Sequence, residues 1–213
     1  MKLKLREPIN SLTHLIGGAL AVIGGIVLII SRVRSGSSTQ SILGAIIFSL
    51  SLILLYFVSG TYHGYIGKDK NIEKLKKLDH SSIYVLIAGS YTPIVLYALD
   101  SKKQIIVLSV IWGLTIVGIV LKIFFIDMPR SLYTSFYLIM GWMVVFFIKD
   151  VYRALSGNGF MYLVLGGVLY SIGGLIYMLK KPNISKSFGF HELFHIFIML
   201  GSFAHYILIL KYL

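Results

Sequence analysis

Residues 188–213 read FGFHELFHIFIMLGSFAHYILILKYL. From Phe190 onward the stretch is apolar over about the 20 residues that a helix needs to cross roughly 30 Å of hydrocarbon. Yet it opens on His191-Glu192-Leu193-Phe194-His195, the H-E-x-x-H pattern of zinc peptidase helices. Two imidazoles and a carboxylate at the rim of a membrane span need partners, because ionisable groups bordering hydrocarbon are costly and are normally paired or functional. Whether the pattern marks a peptidase depends on which other residues reach the same depth.

Windows of the same kind recur along the chain. Seven spans are expected, over 11–31, 41–65, 81–99, 104–126, 131–149, 160–179 and 190–210, by length and apolar content. The fold class is therefore an all-α membrane protein, a seven-transmembrane-helix bundle forming one domain over residues 1–213. Composition agrees: 57% of the residues are hydrophobic and 13% charged, whereas soluble domains are roughly 45–50% apolar. The polar stretches between spans, such as GKDKNIEKLKKLDH, are too short for a soluble domain. Lys2, Lys4 and Arg6 ahead of the first span imitate a signal peptide. However, LIGGALAVIGGIVLIISRVR runs too long and ends in arginines instead of a small-residue cleavage site, so the span is read as retained.

The 20 Lys and Arg outnumber the 8 Asp and Glu, for a formal charge of +12. Thirteen of the 20 fall on the side of the N-terminus: in the N-terminus itself, in the loop 68–79, at Lys122 and Arg130, and at Lys180, Lys181 and Lys186. Positive residues favour the cytoplasm, so the N-terminus is expected inside and the C-terminus outside. The basic excess then faces anionic headgroups at the cytoplasmic face. No basic patch interleaved with exposed aromatics stands apart from the spans, as nucleic-acid binding would require. The absence of cysteine excludes disulfides and leaves any transition metal to nitrogen and oxygen ligands.

Gly17-Gly18 with Gly24-Gly25, and Gly166-Gly167 with Gly173-Gly174, each repeat after seven residues, which places small residues on one helix face for close backbone packing. Pro93 is expected to kink the third span. No internal repeat is apparent, and an odd number of spans argues against a two-halves transporter.

This topology gathers polar residues at one depth. The second span brings Ser59 and His63 to its inner end, the third starts with Asp79 and His80, the seventh starts with His191 and His195, and His14 enters on the first. His191 and His195, at i and i+4, lie on one helix face, about 6 Å apart along the axis. With His63 as third ligand and water in a fourth tetrahedral position, they form the open site of a catalytic zinc ion, Zn2+. Zinc brings its bound water to a pKa of about 7, and Asp79 is the carboxylate placed to take or hold its proton. Ser59, one turn from His63 on the same face, either orients that water or steadies an oxyanion, or else bonds back to its own helix. His14 has the depth of a residue supporting the ligands, His80 is expected at the headgroup boundary, and His205, far from the group, is read as a packed residue. A peptidase reading would make Glu192 the general base. Membrane metallopeptidases bring a further carboxylate ligand from downstream, and no Asp or Glu follows His195.

The segments SGTYH, KLDHSSIYVLIAGSYTP and HELFH, together with EPINSLTHLIGGALA, resemble the hemolysin III family of bacterial seven-span proteins. That family is related to the progestin and adipoQ receptors and more distantly to alkaline ceramidases. The resemblance covers essentially the whole chain. It implies zinc held by His63, His191 and His195 near the cytoplasmic face, with Asp79 holding the water and Ser59 supporting it, and leaves Glu192 at a variable position. It further implies hydrolysis of an amide or ester bond in a lipid that enters sideways from the bilayer of the bacterial plasma membrane. Two rivals belong to other classes: a membrane-stress or lipid-homeostasis protein or receptor with structural zinc, and a pore-forming cytolysin.

Overall fold

A proline or a side-chain cap marks the start of most spans. The computed structural model describes residues 4–213 except Lys186, so Lys2 and Lys186 of the charge balance lie outside the described residues. Pro8, at the first helical position where its missing N–H costs nothing, opens α1 (Pro8–Arg34). The Ser38 hydroxyl accepts the Ser41 N–H (3.2 Å) and opens α2 (Thr39–Gly64). α3 runs from Asp69 to Ala98, and Asp100 caps α4 (Ser101–Phe124). The fifth span comprises α5 (Arg130–Trp142), a 3-10 segment (Met143–Phe147) and α6 (Ile148–Ala154). Ser156 caps α7 (Gly157–Leu179), and α8 (Phe190–Tyr212) ends the chain. Among the described residues there are no strands, and seven helical spans are long and apolar enough to cross a membrane.

Two boundaries differ from expectation. α3 begins at Asp69, well before position 81, because KNIEKLKKL is rich in strong helix formers and Lys77 pairs with Glu73 one turn away at 2.8 Å. A hydropathy window sees only the apolar part of that helix. The fifth span is expected as one helix over 131–149, but it tightens to 3-10 at Met143–Phe147 and continues to Ala154. There the Tyr91 hydroxyl accepts the Val144 N–H and donates to the Gly141 carbonyl, both at 2.8 Å, so a side chain takes the place of helical hydrogen bonds.

α3 is the most buried span and packs against α2, α4, the fifth span and α8. Its helical course runs unbroken through Pro93, which Gly44 of α2 receives: a Cβ at Gly44 would lie 2.8 Å from Pro93 Cα. The glycine pairs expected to pack do so for the most part, with Gly17 against Tyr56, Gly25 against Ser49, and Gly166 against His205, while Gly167 faces open space. One apolar cluster joins α1, α2 and α8 (Ala21, Leu28, Phe48, Leu52, Ile209). Another joins α3, α4, the fifth span and α7 further along (Ile94, Val95, Ile111, Val151, Leu163). Together they leave the N-terminal end of the bundle to polar side chains.

Gly44→Ala should lower stability by about 1–3 kcal/mol, the usual cost of overpacking, seen as a lower unfolding midpoint in detergent. Gly113→Ala, where an added Cβ meets nothing within 4 Å, should leave the midpoint unchanged or raise it.

Candidate metal centre

α1, α3 and α8 begin, and α2 ends, at the same end of the bundle. There His63, His191 and His195 each offer a ring nitrogen within 4.8 Å of the other two, and their ring centroids stand 4.9 Å apart pairwise. His63 and His195 are 1% exposed. His63 Nδ1–H donates to Glu7 Oε2 at 2.7 Å, which leaves Nε2 as the lone-pair nitrogen. That Nε2 is buried without a hydrogen-bond partner, and so is His195 Nδ1. Buried nitrogens without partners are rare in folded proteins, and here they belong to two of three imidazoles that stand together. A borderline divalent ion that accepts imidazole nitrogen fits such a donor set. This buried group can hold a metal ion.

Glu7 is the residue that sequence reasoning missed. It occupies the N-cap position of α1 just outside the span, and the hydrogen bond with His63 holds its carboxyl down to about 2 from an ordinary 4.5, against the upward push of burial. It remains anionic wherever imidazole can bind metal, and a carboxylate behind a ligating histidine fixes the tautomer and raises ligand basicity. The Glu7 N–H also donates to the His63 carbonyl (2.9 Å) and the Ser11 hydroxyl to the Gly60 carbonyl (2.8 Å), which dock the start of α1 on the end of α2. The available signal was a carboxylate preceding Pro8, at the mouth of a span that enters beside the ligands.

The remaining candidates surround the trio. Asp79 and Ser59 are buried, and the Ser59 hydroxyl sits beside the Asp79 carboxyl. Ser49 and Ser51 of the same helix instead bond back to their own backbone, at 2.7 Å each. His14 stacks on His195 with centroids 3.6 Å apart and planes within 10°, and neither of its nitrogens has a partner. Asp79, Ser59, His14, His191 and His195 all line one cavity of about 350 Å³, within the roughly 300–1,000 Å³ of small-molecule sites. Along α3 this cavity follows the residues from Asp79 to Ile94, about 22 Å at 1.5 Å per residue. Beyond the polar end it is walled by apolar side chains such as Ile83, Ile87 and Leu163. Three of its lining residues, Trp142, Val145 and Val164, also stand on the outer surface of the bundle between the fifth span and α7.

The sequence profile described as Haemolysin-III related matches residues 3–206. The chain belongs to that family. It is 40% identical to the hemolysin-3 homolog of Bacillus subtilis (strain 168) over 97% of this chain and 93% of the relative. It is 36% identical to hemolysin-3 of Bacillus cereus over 97% and 91% of the two chains. It is also 29% identical to the adiponectin receptor protein of Drosophila melanogaster over 92% of this chain and 48% of that protein.

In this haemolysin-III-related protein, Glu192 is committed to structure. Its Oε2 accepts the Gly189 N–H (2.8 Å) at the start of α8, as a capping carboxylate does, and its Oε1 accepts from Asn10 Nδ2 (2.7 Å) on α1. The peptidase look of H-E-x-x-H is thus explained by a helix cap that also holds α1. His80 is buried at 7% exposure and lines the cavity, because α3 begins eleven residues before it and neighbouring helices pack around it. His205 is buried as expected, with Nε2 to the Leu163 carbonyl at 3.3 Å, and it also lines the cavity.

Glu7→Gln should weaken metal affinity about 10–100-fold, measured by chelator competition. Because the folded-state pKa of Glu7 is depressed, the stability it contributes is complete above 4.5 and lost as the pH falls towards about 2. The difference in unfolding midpoint between wild type and Glu7→Gln should therefore be flat at neutral pH and shrink across that acid window.

Proposed function

We propose that this multi-pass membrane protein is a zinc-dependent hydrolase of amide or ester bonds in membrane lipids, with its N-terminus and metal centre at the cytoplasmic face of the bacterial plasma membrane. One observation carries the reading: a single cavity runs from His191, His195, Asp79 and Ser59 through an apolar interior to residues on the outer surface of the bundle. A carbonyl placed at the polar end would have its hydrocarbon chain in the apolar part, and Trp142, Val145 and Val164 mark the side from which a lipid enters. Zinc held by His63, His191 and His195 would supply Lewis acidity and acidify a coordinated water.

The chain's own residues carry out the remaining steps. Glu7 keeps His63 in the tautomer with its Nε2 lone pair inward. The Asp79 carboxylate takes a proton from the attacking water and returns it to the leaving amine or alcohol, so that the water oxygen ends in the carboxylic acid product. The Ser59 hydroxyl, held against Asp79, donates to the oxygen that gains charge as the carbonyl is attacked. Support for a pore is weaker. The cavity is apolar along most of its length, and a conducting path needs polar or charged lining.

His63→Ala should lose bound metal by elemental analysis. Asp79→Asn should keep it and lose about 10²- to 10⁴-fold in turnover, measured as fatty acid released from a panel of amide- and ester-linked lipids. Wild type with stoichiometric zinc and no turnover across the panel would rule out the hydrolase, and tight lipid retention without cleavage would assign the site to ligand binding, as in a receptor.

A further inference from the structure

His14 of α1 is 3% exposed, and neither nitrogen of its ring has a hydrogen-bond partner. Other rings surround it instead. His195 lies 3.6 Å away centroid to centroid with the planes within 10°, and Tyr56 stands nearly perpendicular to the His14 ring at 5.1 Å. The backbone carbonyl of Asn10, one turn earlier on α1, lies beside His195 as well. α1 thus brings Asn10 and His14, at i and i+4 on one face, against one histidine of the trio, just as Glu7 holds another.

His14 does not share an ion with His195. An imidazole lone pair lies in the plane of its ring, and two nearly parallel planes do not meet within bonding distance of either ring. The nitrogens that converge within 4.8 Å of one another belong to His63, His191 and His195. As packing between two neutral rings, the stack is also a poor arrangement. Aromatic rings carry negative faces, so they prefer offset or edge-to-face contacts with centroids about 4.5–7 Å apart. The next closest pair among the described residues, Tyr84 and Tyr137, stands at 4.5 Å. At 3.6 Å the two imidazoles lie almost face over face, since carbon atoms pack at about 3.5 Å. Two buried nitrogens without partners add to the cost. An apolar side chain of similar size in place of His14 would avoid both penalties.

The balance reverses when the trio holds a cation. An imidazole that gives its lone pair to a divalent ion takes on part of the ion's charge, and a positive ring is attracted to the negative face of a neutral aromatic. A contact that is unfavourable in the metal-free centre becomes favourable in the loaded one. We propose that His14 is a positioning residue of the metal centre, whose ring face holds His195 in its ligating orientation and stabilises it once metal is bound. The inference rests on the reading of the trio as a metal centre and is independent of whether a lipid is cleaved there.

The test measures metal affinity by chelator competition on the full chain in detergent, with Zn2+ and Co2+, beside the unfolding midpoint of the metal-free protein. His14→Leu removes the ring and keeps apolar bulk. It should bind metal about tenfold more weakly, shift the visible absorption of the cobalt-loaded protein, and unfold metal-free at the wild-type midpoint or above. His14→Phe restores an aromatic face and should return affinity to within about threefold of wild type. If His14→Leu fails to fold, His14→Gln takes its place with the same expected loss of affinity. Wild-type affinity and an unaltered cobalt spectrum in the variant without a ring overturn the proposal. An equal loss in His14→Phe overturns it too, by assigning the effect to the imidazole nitrogens, and so does a metal-free midpoint that falls and recovers in step with affinity, which marks packing alone. Wild type that takes up no metal removes the metal centre itself and this inference with it, whereas metal held equally by wild type and His14→Leu removes this inference alone.

Discussion

The hydrogen bond between His63 Nδ1 and Glu7 Oε2, 2.7 Å long, joins the fold to its chemistry. A neutral imidazole carries one proton, and whichever nitrogen holds it must donate while the other accepts. In a bundle interior with little water, that choice is made by whatever acceptor lies nearest. Glu7 makes it for His63 and points the accepting nitrogen at the pair on α8. The same residue heads α1, and its amide bonds the His63 carbonyl, so the contact that orients the imidazole is also the contact that docks the first helix on the second.

Polarity is sorted along the length of the bundle. Apolar clusters occupy its middle and far end, and the N-terminal end holds Glu7, Asn10, His14, Ser59, His63, Asp79, His80 and the start of α8. Some of these groups are paired with one another, while both His14 nitrogens and His80 Nδ1 are left without hydrogen-bond partners. Asn10 bridges Glu7 (3.3 Å) and Glu192 (2.7 Å). Without that bridge, the beginnings of α1 and α8 would present two carboxylates with nothing between them. The cavity links the polar end to the apolar interior, so an amphiphile is the class of molecule whose two halves match it.

Much of this was legible from residue order. Seven apolar windows name the spans, and i,i+4 spacing on the last span with a histidine at the end of the second picks out the trio. What escaped has physical causes. The turns of α3 before position 81 are stabilised by charged helix formers and one ion pair, to which a hydropathy window is blind. Glu7 lies outside every span, in a position where a carboxylate usually means only a helix start. The burial of His80 inside the protein follows from the extension of α3, which puts it in mid-helix and not at a helix start. Lys122 looked like one more basic residue on the charge-rich side. Only the packing of Tyr133 across it shows a cation enclosed with no counter-ion among the described residues. Glu192 is the converse case, a residue whose sequence context promised catalysis and whose side chain caps a helix.

The tightened segment of the fifth span has a mechanical meaning. An ordinary transmembrane helix resists a change of pitch because every displaced amide would be stranded in hydrocarbon. At Met143–Phe147 the phenol of Tyr91 already serves as both donor and acceptor for the backbone, so this wall has a pivot that the continuous helix α3 lacks. The segment's change of pitch is thus borne by a phenol from a neighbouring span, and the two helices are keyed together at that level of the wall.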